Sequence, residues 1–197
     1  MPGETTHIKG REGVWRAKRW LERTGTAEVL VTSDLVAMSS VLEVPIERAR
    51  VRSFDLHGVY GSPRRFFFAE VKHYEGPVGG QSYDEFLATA YCKAREHDGA
   101  TCDFMFITWH PFLVKSWRSL RTAARVREAI RARRDWLPDV VEVSDDLCES
   151  VAARLWLIVL SDKSSDLQLP LATARQLFAL MPDHADPLGI MYPGAQE

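Results

Sequence analysis

The chain has 197 residues, 46% hydrophobic and 26% charged, a balance suited to one globular domain with a buried core. Ten prolines and twelve glycines without a biased tract exclude a collagen-like or disordered chain, and the uncharged stretches are too short for a spanning helix. The net charge of −2 hides a division, because residues 1–134 carry 22 Lys+Arg against 16 Asp+Glu while residues 135–197 carry 3 against 11. No basic-then-apolar leader follows Met1, and Cys92, Cys102 and Cys148 lack a Cys-x-x-Cys spacing. The expectation is a soluble, cytoplasmic protein with reduced, partly buried thiols and neither a disulfide framework nor a cysteine zinc site.

In chain order, Val14, Ala17 and Leu21 keep helical spacing, and Thr24-Gly25 stops a helix predicted over about 12–23. Glu28–Thr32 reads as a short strand, and Ser33–Ile46 fits neither period. Val51–Tyr60 and Arg64–Tyr74 are rich in β-branched and aromatic residues around the turn Gly61-Ser62-Pro63, which predicts a β-hairpin. After a glycine-rich loop, Tyr83, Phe86, Leu87, Ala90, Tyr91 and Ala94 mark the clearest helix. Phe104–Trp109 and Leu155–Leu160 read as buried strands, the first central in its sheet. Ser116–Arg134 reads as one helix striped by Trp117, Leu120, Ala123 and Ile130, and Leu171–Met181 as a last helix. The order predicts an α/β layer structure with a mixed sheet and no internal repeat, in a single domain over 1–197. Its core spans about 10–160, followed by a C-terminal helix and tail over 161–197.

The hairpin carries the chemistry. Side chains alternate along strands, so Val51, Ser53, Asp55 and His57 share a face of the first strand, and Phe68, Glu70 and Lys72 share one of the second. A symmetric fold about Ser62-Pro63 sets Asp55 opposite Glu70, with Cβ atoms about 4.5–5.5 Å apart, and Lys72 on the same face. Two opposed carboxylates repel unless a cation lies between them, and their hard oxygens suit Mg²⁺ or Mn²⁺. Lysine at 72 is informative in a chain that has 6 lysines and 19 arginines. An ammonium is a compact charge that can lose its proton, whereas a guanidinium stays protonated. The bland alternative is a solvated hairpin carrying an Asp and a Glu–Lys pair.

Asp55, then Glu70-Val71-Lys72 at a hairpin end, then a helix and a buried strand, resemble the PD-(D/E)xK nuclease superfamily over roughly Gly10 to Trp109. The resemblance implies a restriction-endonuclease-like mixed sheet flanked by helices. It also implies a nuclease of DNA restriction, repair or anti-phage defence, in which Asp55 and Glu70 bind Mg²⁺ and Lys72 assists the attacking water. Phe54 stands where the family has proline. Glu12 is the nearest candidate for a further acid on the first helix. Gln81 is a candidate phosphate contact, although Glu85 stands where some exonuclease branches carry a tyrosine. The implied partner is nucleic acid, first of all DNA, with no membrane; a homodimer or a larger defence or repair complex is the implied assembly. A catalytically silent nucleic-acid-binding module on the same fold and an RNA-directed nuclease are the alternatives.

Outside the hairpin, Lys115, Arg118, Arg121, Arg125, Arg127, Arg131, Arg133 and Arg134 face one acid, Glu128, and point to a polyanionic partner. The first six are the candidate nucleic-acid contacts. The alternative is a helix face neutralised by Asp135, Asp139, Glu142 or Asp145. Trp117, beside the arginines, is the one tryptophan kept as a contact. His57 is a further candidate near the metal, while His73 and His110 are read as structural.

Overall fold

The computed structural model describes residues 2–23, 27–32, 43–46, 50–73, 79–96, 102–134 and 142–164. Helix α1 (Pro2–Arg23) leads into β1 (Ala27–Val31), followed by β2 (Glu43–Ile46), β3 (Arg50–Ser53), β4 (Leu56–Tyr60) and β5 (Arg65–Lys72). Helix α2 (Gly80–Glu96) and β6 (Cys102–Thr108) come next. A 3₁₀ turn (Val114–Ser119), α3 (Ala123–Ala132), α4 (Asp145–Ala153), β7 (Leu155–Val159) and a second 3₁₀ turn (Asp162–Ser164) complete the described chain. The predicted helix over Leu171–Met181 lies outside the described residues.

Five strands form one sheet in the order β1-β4-β5-β6-β7, and β2 pairs with β3 in a separate antiparallel ribbon. The pairs β1–β4 and β4–β5 are antiparallel, whereas β5–β6 and β6–β7 are parallel. The result is a mixed α/β fold whose sheet is flanked by helices. A parallel pair needs a long crossover, which α2 supplies between β5 and β6.

Alternation along the strands builds two cores. Phe67, Ala69, Val71, Met105 and Ile107 face α1, where Ala17 and Leu21 are buried. Phe68, Phe104 and Phe106 face the other way, against Phe86, Leu87, Ala90 and Tyr91 of α2 and Val126, Ala129 and Ile130 of α3. Covered on both faces, β6 is buried at every position, as a parallel strand should be. It is an interior strand, but β5 occupies the centre of the five. Strand β7 departs from the expectation of a second buried strand: it lies at the sheet edge, with Trp156 and Val159 exposed. The three cysteines are free and buried.

The hairpin turn is where expected, with Gly61 at φ 74°. The strand before it is not continuous, because it breaks between Ser53 and Leu56 and only β4 joins the hairpin. Phe54 leaves the alternation and packs into the α2 layer, its ring 5.3 Å from Phe68 and 6.1 Å from Phe104. The expected helix over Ser116–Arg134 is also interrupted. Leu120 is buried at the bend, and the Thr122 hydroxyl caps α3 by accepting the Arg125 N–H at 3.2 Å. Helix α4 was not foreseen, although Ser144 accepts the Leu147 N–H and Asp145 and Asp146 fill the first turn.

Candidate functional site

The break at residues 54–55 sets the position of Asp55. Thr32, just past the end of β1, holds it by donating its N–H to the Asp55 carbonyl at 3.1 Å and its hydroxyl to the Phe54 carbonyl at 2.5 Å. The last β4–β5 pair is Leu56 with Ala69, so Val71 lies beyond the end of β4. Its N–H is taken instead by the Asp55 carboxylate, Oδ2 accepting at 2.8 Å. The register is the one that sets 55 against 70. Asp55 nevertheless belongs to the bend rather than to the strand, and its carboxylate reaches the main chain of β5.

Glu70 and Lys72 share a face of β5 two residues apart, and the Lys72 Nζ stands 2.5 Å from Glu70 Oε1. Both side chains are about one-fifth exposed. Burial, and after it the charge of Glu70, pushes the Asp55 carboxyl up to about 7, against the opposing pull of the Val71 N–H and the Lys72 ammonium. The three residues thus form one electrostatic unit at the end of β5. Asp55 and Glu70 are the two side chains in it that could hold a divalent ion. Among the described residues no group of three or more His, Cys, Asp and Glu side chains is placed to hold a metal.

The further candidates come from other elements, α1, α2 and β4. Glu12 is exposed on α1. Its neighbour Gly13 is buried against His73, where any Cβ would collide with the imidazole. Gln81 is exposed in the first turn of α2 and donates to Glu85 Oε1 at 3.3 Å, so it is engaged within its own helix. His57 is paired with Phe68 across the hairpin and with Leu30 on β1. It lines an apolar cleft of about 750 Å³ together with Leu30, Val59, Phe66 and Phe68. Both ring nitrogens are buried without a partner, and burial lowers its pKa.

The arginine segment divides into two groups. Arg125 pairs with Asp84 of α2 and lies 3.4 Å from Glu128, Arg127 pairs with Asp145 at 2.6 Å, and Arg133 stands 3.5 Å from Glu85. These contacts tie α3 to α2 and α4. By contrast Lys115, Arg118, Arg121 and Arg131 are exposed and make no ion pair among the described residues. The sequence singled out six cations, of which these four remain open to an outside anion.

No protein-family model and no curated protein matches the chain. Among solved structures it is similar to the Acinetobacter baumannii Cap4 SAVED/CARF-domain containing receptor with the cyclic trinucleotide 2′3′3′-cAAA, at 11% identity and a TM-score of 0.39. That match covers 78% of this chain and 31% of the receptor. The Moraxella osloensis Cap4 receptor is similar at 12% identity and a TM-score of 0.39, over 81% of this chain and 34% of that one. The chain therefore spans about a third of the length of these receptors.

Thr32, which anchors the bend beneath Asp55, did not stand out in the sequence, because a hydroxyl bonding 22 residues away leaves no local signal.

Proposed function

We propose that the protein is a metal-dependent nuclease that hydrolyses phosphodiester bonds, with DNA as its substrate, and that its sheet is the restriction-endonuclease-like arrangement of the PD-(D/E)xK nucleases. The observation that carries this reading is the geometry at the end of β5, where the register sets Asp55 against Glu70, the Val71 N–H holds Asp55 Oδ2 at 2.8 Å and Lys72 Nζ stands 2.5 Å from Glu70 Oε1. Two carboxylates held this close disfavour joint ionisation without a cation, and one or two carboxylates are the usual protein share of an Mg²⁺ site. Their donor chemistry fits that ion, and Asp55 and Glu70 would hold it. When bound, such an ion would supply positive charge that lowers the pKa of a water and offsets negative charge on the phosphate.

The chain's own residues do the rest. The Val71 N–H fixes one oxygen of Asp55, so that carboxylate is oriented before any ligand arrives. The Lys72 ammonium, parked on Glu70 Oε1, lies within one side chain's reach of the same site. There it orients the attacking water or donates to a non-bridging phosphate oxygen as negative charge grows. Arg118 and Arg121 offer phosphate contacts on the same side of the sheet.

The test is cleavage of supercoiled plasmid, linear duplex, single-stranded DNA and RNA with Mg²⁺, Mn²⁺ or EDTA. Asp55→Asn and Glu70→Gln are expected to lose about 100-fold or more of the activity while remaining folded. Lys72→Arg should fall nearly as far as Lys72→Ala, because the planar fork cannot replace a compact ammonium. Undiminished cutting by both carboxylate variants would remove the active site from this hairpin.

A further inference from the structure

Beyond β6 the chain presents Trp117, Arg118 and Arg121 around a cleft of about 440 Å³ that is completed by Ala152 and Ala153 of α4 and Leu157 of β7. Trp117 is 38% exposed. Its ring meets Phe112 edge-on, with centroids 5.9 Å apart at 70°. Phe112 is buried in turn against Tyr83 and Phe106, each at 5.2 Å. The indole is thus held from behind by buried aromatics while part of its surface stays open to solvent. Two alanines opposite leave room for a flat ring.

The charges suit an anion. Arg118 and Arg121 are exposed and make no ion pair among the described residues, unlike Arg125 and Arg127 on the next helix. The carbonyl end of α4, which would compete for them, is already occupied. Arg154 donates its Nε to the Ser150 carbonyl at 2.9 Å and its N–H to the carbonyls of Val151 and Ala152. An aromatic platform with two open guanidinium groups matches a nucleobase and its phosphate.

The cleft is also aligned with the hairpin site. Leu157 is in register with Phe106, and Phe106 with Glu70, so the three lie in one row across β7, β6 and β5. Two strand spacings, about 10 Å, separate the backbone at the cleft from that at Glu70.

We propose that this cleft holds one unpaired nucleotide, its base stacked on Trp117 and its phosphate between Arg118 and Arg121. Its connection to cleavage rests on the nuclease reading above; the binding itself does not. A paired base has its faces covered by its neighbours, so only a single-stranded or frayed stretch can fill the cleft. The preferred substrate is then a strand that is unpaired close to the scissile phosphate.

Binding measured by fluorescence anisotropy in EDTA separates this site from the chemistry. The probes are oligo-dT, oligo-rU, an oligo-dT with one abasic position, and a blunt hairpin duplex. Trp117→Ala should weaken oligo-dT binding at least about fivefold and leave the duplex unchanged, while Trp117→Phe restores most of the loss. The abasic strand, scanned position by position, should bind the parent as weakly as intact strand binds Trp117→Ala at one position only. Arg118→Gln with Arg121→Gln should weaken both strand types. An effect on oligo-rU in place of oligo-dT supports the cleft and names RNA as its source of nucleotide. Equal oligo-dT and oligo-rU affinity in parent and Trp117→Ala, or equal losses for strand and duplex, overturns the proposal. Should Trp117→Ala fail to fold, the abasic scan on the parent decides alone. Stacking without any metal-dependent cleavage would sink the nuclease reading and leave the cleft standing; cleavage without stacking would do the reverse.

Discussion

Asp55 is caught between two opposed demands, since the Val71 N–H favours its carboxylate form while burial and the neighbouring Glu70 favour the acid. The latter prevail, and the group is raised from 3.8 to about 7. In the unfolded chain it titrates near its ordinary value, so between about pH 4 and pH 7 the folded protein holds a proton that the unfolded chain has released. The stability contributed by the neutral acid is fully present below the lower value and is lost as pH rises through the upper one. Asp55→Asn keeps an oxygen for Val71 and cannot ionise. In metal-free buffer its stability relative to the parent should therefore grow from pH 5 to pH 8, by on the order of 1–3 kcal/mol. Urea midpoints at each pH in EDTA measure the difference, and a constant offset across that range would mean that Asp55 titrates as an ordinary carboxyl.

At the scale of elements, α3 is pinned by one set of arginines and leaves another set for a ligand. Arg125 lies between Asp84 and Glu128, and burial raises the Asp84 pKa against the pull of that guanidinium. Arg125→Gln leaves Asp84 partly buried without this partner and should cost about 1 kcal/mol, or about 2–4 °C in a chain of this size. Arg118→Gln with Arg121→Gln should leave the melting temperature unchanged and lower the salt slope of log K by about 1.8 for duplex DNA. A lowered melting temperature with an unchanged slope would make Arg118 and Arg121 structural as well. The division was not legible in the sequence, where the cations form a single run and Asp84 lies 41 residues from its partner. The register of β4 and β5 was legible, because Gly61-Ser62-Pro63 marks the turn and alternation leaves one pairing in which both faces agree. The break at residues 54–55 was not, since no glycine or proline marks it and Phe54 is drawn out of line by the α2 aromatic layer. Helix α4 carried a readable signal in Ser144-Asp145-Asp146, but its nine residues hold too few apolar positions for a clear stripe. The run Leu155–Leu160 reads the same at a sheet edge as in an interior, so burial there is decided by what lies beside β7.

Across the whole molecule, the parallel strands β5, β6 and β7 run in one direction and the chain changes from antiparallel to parallel pairing at β5. The candidate carboxylates stand at the C-terminal end of that same strand, where its neighbour β4 has already ended and Val71 bonds a side chain instead. The pair thus sits at the end of the sheet's central strand, while the two cores on either side hold the backbone in place. A cation that binds there binds the folded state alone, because the unfolded chain does not bring residues 55 and 70 together. Linkage then gives a stability gain of about 1.4 kcal/mol at ten times the dissociation constant. For a protein of this length that gain should raise the melting temperature by about 3–6 °C. Mg²⁺ or Mn²⁺ titrated into EDTA-treated protein should produce the rise in the parent and abolish most of it in Asp55→Asn and in Glu70→Gln. An equal rise in all three proteins would place the cation elsewhere on the fold. No rise in any of them, at concentrations that support cleavage, would mean that the ion enters with the substrate phosphate rather than before it.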